Sequence, residues 1–209
     1  MKDKQEGKVR VAVLISGGGT NLQAILNAQK HGRLTAGRVE LVVSNRADAY
    51  GLERAKKAGV PAVVLTRQAC GGARAFEEQL IRLLEENQIE VIVLAGFLSI
   101  LSADFTRRYE HRILNVHPSL IPAFCGEGFY GLKVHEAALA KGVKVTGATV
   151  HFVNEIPDGG EIILQKAVKV EDGDTPEVLQ QRVMRQAEWK LLPAALEMVC
   201  RKIRTEEKS

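Results

Sequence analysis

Hydrophobic positions along this chain fall into short, nearly unbroken runs, separated by stretches in which they recur at helical spacing. The runs VRVAVLIS (9–16), VELVVSN (39–45), VPAVVL (60–65), EVIVLAGF (90–97) and RILNVH (112–117) are rich in valine and isoleucine, as strands buried on both faces must be. Between them, NLQAILNAQK (21–30), DAYGLERAKKAG (48–59), ARAFEEQLIRLLEENQ (73–88) and ADFTRRYEH (103–111) carry apolar residues three and four apart. The alternation predicts βαβαβαβ, and so an α/β fold with a parallel sheet and right-handed crossovers in the first half.

After Pro118 the rhythm changes. A loop containing Pro122, Gly126, Gly128 and Gly131 leads to a helix over 133–140. Strands over 144–153 and 161–170 then flank a short connection holding Asp158, Gly159 and Gly160. So short a connection suits an antiparallel pair better than a crossover. Thr175 as N-cap and Pro176 at the first helical position signal one long closing helix. No repeat, low-complexity tract or linker divides the 209 residues, so a single domain over 1–209 is expected.

Composition narrows the class. With 45% hydrophobic and 26% charged residues the chain is ordinary globular material. Cys70, Cys125 and Cys200 form no CxxC pair, which argues against a disulfide framework and a structural zinc site; no metal is expected. The start, MKDKQEGK, lacks a leader's apolar run, and no later run approaches the ~20 residues of a membrane span, so a cytoplasmic protein is expected. The formal charge of +4 is dispersed apart from Arg201, Lys202 and Arg204. It suits an anionic small molecule, while the absence of a continuous basic stripe argues against nucleic acid.

Three constellations could carry chemistry. The first strand runs into Ser16-Gly17-Gly18-Gly19-Thr20-Asn21 and then a helix, where glycines let backbone amides approach an oxyanion at the helix start. The dinucleotide fingerprint fails at Leu22 and Walker A fails for want of Gly-Lys-Ser/Thr, so the segment reads as a phosphate cradle or as a ligand-free tight turn. Asn115 and His117 share one face of a strand end, with Pro118 holding His117 extended. They read either as an oxyanion donor beside a proton-moving imidazole or as a structural histidine near a turn. Asp158 reads as a turn residue or as a partner that orients His117, and His151 lies on the strand before it. His31, His111 and His135 fall in helical patterns and are expected at the surface or at helix ends. Cys125 has no sequence neighbour that would lower its pKa and make it a nucleophile.

Taken in order, LISGGGTNLQAIL, LAGFLSILS, ILNVHPSLIPAF, GATVHFV and DGGEIILQ resemble the phosphoribosylglycinamide formyltransferases, from about Val11 to Pro193. The resemblance implies a Rossmann-like formyltransferase fold, phosphate-binding in its N-terminal half and catalytic and folate-binding in its C-terminal half. It implies formyl transfer from 10-formyltetrahydrofolate to the amine of glycinamide ribonucleotide, in de novo purine synthesis, by a monomer or homodimer. Asn115, His117 and Asp158 match the family's catalytic trio. Gly17, Gly18, Gly19, Thr20 and Asn21 match its phosphate grip, with Arg74 as a further phosphate contact and Glu188 as a contact to the ribonucleotide. Phe97, Leu98, Ser99, Ile100 and Leu101 match the pteridine segment, completed by the loop 154–159, Asn115 and His151. Ser99 stands where many members have arginine, and the loop CGEGFYGLKVHEAAL is longer and more aromatic than in some.

Two related activities and one unrelated class compete. A formyltetrahydrofolate deformylase shares the Asn/His/Asp set but carries an N-terminal regulatory domain and lacks SGGGTN. A methionyl-tRNA formyltransferase would need a further C-terminal domain. A non-catalytic phosphate-binding module would explain the glycine loop and not the trio.

Overall fold

The computed structural model describes residues 7–206, so all but the last residues of the charged N-terminal segment lie outside the described residues. The valine-rich runs form a seven-stranded sheet: β1 (Val9–Ile15), β2 (Gly37–Ser44), β3 (Ala62–Val64), β4 (Val91–Leu94), β5 (Ile113–His117), β6 (Val145–Phe152) and β7 (Ile162–Lys169). Their spatial order is β3-β2-β1-β4-β5-β6-β7. The first five pair in parallel, and β6 and β7 join antiparallel, as the short 154–160 connection predicts. The fold is thus mixed α/β, mostly parallel, with an antiparallel end.

The central strands are buried through almost every residue, whereas β3 is a half-exposed edge, so an apolar run there does not mean burial on both faces. The run over 90–97 stops being strand at Leu94, because Gly96 adopts a left-handed φ of 73° and turns the chain into a loop.

Helices α1 (Thr20–Lys30), α2 (Gly51–Lys57), α3 (Arg67–Cys70), α4 (Ala73–Glu86), α5 (Ala103–Arg108) and α6 (Leu132–Lys141) connect the strands. The short α3, capped by Thr66, has no counterpart in the periodicity reading. Helix α4 buries Phe76, Leu80 and Leu84, spaced four apart, in a core on one face of the sheet with Ile92 and Phe105. The other face packs Leu22, Ile25, Leu192 and Leu196 against β1 and β6.

The closing helix starts as expected, with Thr175 Oγ1 accepting the Val178 amide at 3.3 Å. It is not uniform, however: α7 (Pro176–Val183) passes through a π-helical turn, Met184–Glu188, before α8 (Trp189–Glu206). Pro193 lies inside α8 and cannot donate to the carbonyl of Trp189, and the π turn directly precedes that gap.

Strands β2 and β3 lie on one side of β1 and the later strands on the other. The chain therefore reverses direction between β1 and β4, the place where open α/β sheets leave a crevice beyond their carboxyl ends.

Candidate active site

Three loops leave the carboxyl ends of the neighbouring parallel strands at that crevice: 16–19 after β1, 95–101 after β4, and 118–131 after β5. The first two are joined, since the Leu98 amide donates to Ser16 Oγ at 2.9 Å. In the glycine loop, Gly17 and Gly18 are exposed, and a Cβ at either would meet nothing within 4 Å. Gly19 is constrained instead: φ is 68°, and a Cβ there would lie 2.7 Å from Gly51 Cα. The protein itself thus requires glycine at 19 but leaves open space beside 17 and 18.

Asn21, on the first turn of α1, donates through Nδ2 to Glu188 Oε2 at 2.8 Å, so the π turn brings Glu188 beneath the loop. Both side chains are buried, and Asn21 Oδ1 has no hydrogen-bond partner among the described residues. Burial pushes the Glu188 carboxyl above its ordinary range, against the lowering effect of the Asn21 bond. A buried acceptor beside a protonatable carboxyl suits a ligand carrying hydroxyl groups. Arg74 is placed differently. Its side chain is 94% exposed at the start of α4 and pairs with Glu78 at 3.1 Å; among the described residues no hydrogen bond or ion pair joins it to the glycine loop.

The second cluster is built across β5 and β6. Asn115 sits directly opposite His151, and His117 opposite Thr149. Asn115 Nδ2 lies 3.2 Å from His151 Nε2. The His151 Nδ1–H donates to the Phe152 carbonyl at 2.7 Å. Asp158 enters from the β6–β7 connection, with Oδ1 at 3.4 Å from His151 Nε2 and Oδ2 at 3.4 Å from His117 Nδ1. The connection is shaped to deliver it: Asp158 has φ of 55°, and a Cβ on Gly160 would stand 1.8 Å from the Phe152 carbonyl oxygen. Glycine at 160 lets the turn close on β6, and backbone strain of this kind gathers at functional sites.

The loop after β5 holds the same pair from the other side. The His117 Nε2–H donates to the Phe124 carbonyl at 2.8 Å, and the Gly126 amide donates to Asp158 Oδ2 at 2.9 Å. Thr149 anchors the loop, donating to the Ser119 carbonyl at 2.7 Å and accepting the Ile121 amide at 3.1 Å. Cys125 lies between the two clamping backbone groups, and burial pushes its thiol above the ordinary range, the opposite of an activated nucleophile.

These contacts set the charges. Burial lowers the pKa of His117 more than the Asp158 charge and the Phe124 bond raise it. Burial alone would raise Asp158, but the His151 ring at 3.4 Å, the Gly126 amide and the nearby His117 ring hold it below the ordinary carboxylate range. The site thus favours a neutral His117 with its proton on Nε2, beside an ionised Asp158. Such a pair takes up a proton at Nδ1 and presents N–H donors at Asn115 and His117 Nε2.

Phe97, Ser99, Ile100 and Leu101 line a cleft with Asn115, His151 and 153–158, of about 150 Å³. Leu98 is beside it but outside that lining, and Leu98, Ile100 and Ile156 are largely exposed around its mouth. Ser99 Oγ accepts from Asn45 Nδ2 at 2.9 Å, tying the segment to the end of β2. Among the described residues, no group of three or more His, Cys, Asp or Glu side chains is arranged to hold a metal.

His135 departs from expectation. It is fully buried on α6, with neither ring nitrogen hydrogen-bonded among the described residues. Its helix turns it inward with Val134 and Ala138, so helical periodicity alone misassigns it to the surface. Burial, and then the charge of His117, push its pKa down to about 4. The backbone groups of Phe124 and Gly126 are site elements that the motifs do not mark.

A glycine loop at the switch point and an Asn/His/Asp cluster on the next strands define a class: the chain belongs to the formyl transferase family, whose profile matches residues 9–196. Within that family its similarity is to phosphoribosylglycinamide formyltransferases. That of Haemophilus influenzae is 40% identical over 187 residues, 90% of this chain and 85% of that protein. The trifunctional purine biosynthetic protein adenosine-3 of Gallus gallus is 48% identical over 195 residues, 93% of this chain but 19% of that protein, so the chain spans about a fifth of this longer relative. The crystal structure of glycinamide ribonucleotide transformylase 1 from Symbiobacterium toebii superposes with a TM-score of 0.87 at 44% identity, over 95% of this chain and 90% of that one. A formyltetrahydrofolate deformylase from Pseudomonas syringae is a more distant neighbour, with a TM-score of 0.82 at 28% identity over 63% of its chain.

Proposed function

We propose that this protein transfers the formyl group of 10-formyltetrahydrofolate to the amine of 5'-phosphoribosylglycinamide, giving formylglycinamide ribonucleotide and tetrahydrofolate. The observation that carries the reading is the pairing of two sites at one crevice: an open glycine loop for a phosphate and a buried Asn/His/Asp cluster for acyl chemistry. Residues 1–209 are read as one formyltransferase domain, which the continuous sheet supports.

In this reading Gly17 to Asn21, with Arg74, receive the ribonucleotide phosphate, and Glu188 meets the sugar. The folate ring enters the cleft at 97–101 and 154–159, beside His151. The amine attacks the formyl carbon; the Asn115 amide and the His117 Nε2–H donate to the developing oxyanion, with the Phe124 carbonyl yielding Nε2 as they do so. Asp158 and His117 Nδ1 take the proton lost by the amine and return it to N10 of the folate, which leaves as the C–N bond breaks.

The glycine loop favours transfer over hydrolysis, because water as acceptor needs no phosphate grip. Tetrahydrofolate release from 10-formyltetrahydrofolate, followed with and without glycinamide ribonucleotide, tests this. Release that requires the ribonucleotide is expected. Release at the same rate in its absence would establish a deformylase, and no release in either case a binding module.

A further inference from the structure

Resting on the ribonucleotide reading above, the geometry points to Arg54 as a positioning residue that shapes the glycine loop for phosphate. Arg54 Nε donates to the Gly18 carbonyl at 2.8 Å, and its NH1 donates to Gln23 Oε1 at 3.1 Å on α1. The guanidinium lies 5.1 Å from the centre of the Tyr50 ring, which closes it in from another side. One turn earlier, the Gly51 amide donates to the Gly17 carbonyl at 3.0 Å. The start of α2 therefore captures two successive carbonyls of the loop.

A trans peptide points its C=O and N–H in opposite directions. Turning the carbonyls of Gly17 and Gly18 toward α2 thus turns the amides of Gly18 and Gly19 away from it. Successive amides facing one side form an anion-binding concavity, on a stretch whose first two glycines are exposed. The tight approach of Gly19 and Gly51, where a Cβ on Gly51 would meet Ile15 Cδ1 at 2.4 Å, keeps the two segments in register. Arginine suits the task because its planar fork serves Gly18 and Gln23 together, whereas an ammonium on a flexible stem holds no such plane. Its charge beside the loop adds attraction for phosphate, but fixing the peptide plane is the assigned role.

Two variants, Arg54→Lys and Arg54→Gln, separate plane from charge. The readouts are the KM values for both substrates, kcat, and the affinity for inorganic phosphate by calorimetry. Both variants are expected to raise the ribonucleotide KM and the phosphate Kd about tenfold or more, the scale of a lost charge-assisted hydrogen bond. The folate KM and kcat should move less than twofold. Full rescue by Arg54→Lys would overturn the positioning role in favour of charge alone. Parallel losses in kcat and both KM values, or no change in phosphate affinity, would overturn it too. If Arg54→Gln fails to fold, Arg54→Lys decides. If phosphate affinity falls as expected while the wild-type protein shows no ribonucleotide-dependent release, the inference stands and the functional reading falls.

Discussion

His117 and Asp158, the proposed proton-transfer pair, are held in place from two directions. Burial keeps His117 below its ordinary pKa, and the His151 ring and the Gly126 amide keep Asp158 ionised despite burial. Both folded values are depressed, so activity that needs neutral His117 and ionised Asp158 is expected to persist at neutral pH. It should decline on the acid side of the ordinary histidine value, about 6.5. A kcat/KM profile with its acid limb above that value would contradict this. His117→Ala and Asp158→Asn are each expected to lower turnover at least ~10²-fold in steady-state assays, the usual range for losing a proton-transfer group.

His135 ties the stability of the fold to pH. Its folded pKa of about 4 lies below the ordinary 6.5, so between these values the unfolded chain binds the additional proton. Its stabilising contribution is complete above about pH 6.5 and drains as the pH falls toward 4. Between about pH 7 and pH 5 the loss is on the order of 2 kcal/mol. Urea midpoints should fall over that interval in the wild-type protein and fall less in His135→Leu. An equal slope in the two proteins would rule out this origin. The sequence made Asn115, His117 and Asp158 conspicuous because prolines and glycines surround them. It hid His135, since a helix pattern with small residues around it does not say which face turns inward.

At the scale of elements, two loops use glycine for different reasons. Gly160 is required by the protein itself, because a methyl group there collides with the Phe152 carbonyl. Gly160→Ala is expected to cost about 1–3 kcal/mol in denaturant unfolding, and to lower turnover by displacing Asp158. Gly18 has open space beside it. Gly18→Val should therefore leave the unfolding midpoint nearly unchanged and raise the ribonucleotide KM by obstructing backbone approach to phosphate. A rise confined to the folate KM would move the phosphate site elsewhere. The strands and most helices were legible from periodicity, including the antiparallel β6–β7 pair from a connection too short to cross over. The π turn was not, because it follows from how α7 and α8 accommodate Pro193 while bringing Glu188 to Asn21. The clamp by Phe124 and Gly126 was equally hidden, since backbone groups leave no mark on residue identity.

Across the whole molecule, the sheet's order does what no single motif does. It sets the loop after β1 beside the loop after β4, and the end of β5 beside β6, so that residues as far apart in sequence as Ser16 and Leu98, or Asn21 and Glu188, become neighbours. The dispersed charge of +4 is in keeping with two anionic substrates, a sugar phosphate and a folate carboxylate. In the proposed reaction one crevice brings these two together for direct transfer. The decisive measurement supplies 10-formyltetrahydrofolate carrying carbon-13 in the formyl group, in the presence of glycinamide ribonucleotide, with products followed by NMR. The label is expected as an amide on the ribonucleotide, one equivalent for each tetrahydrofolate formed. Label recovered as free formate, with the ribonucleotide unchanged, would show hydrolysis in place of transfer.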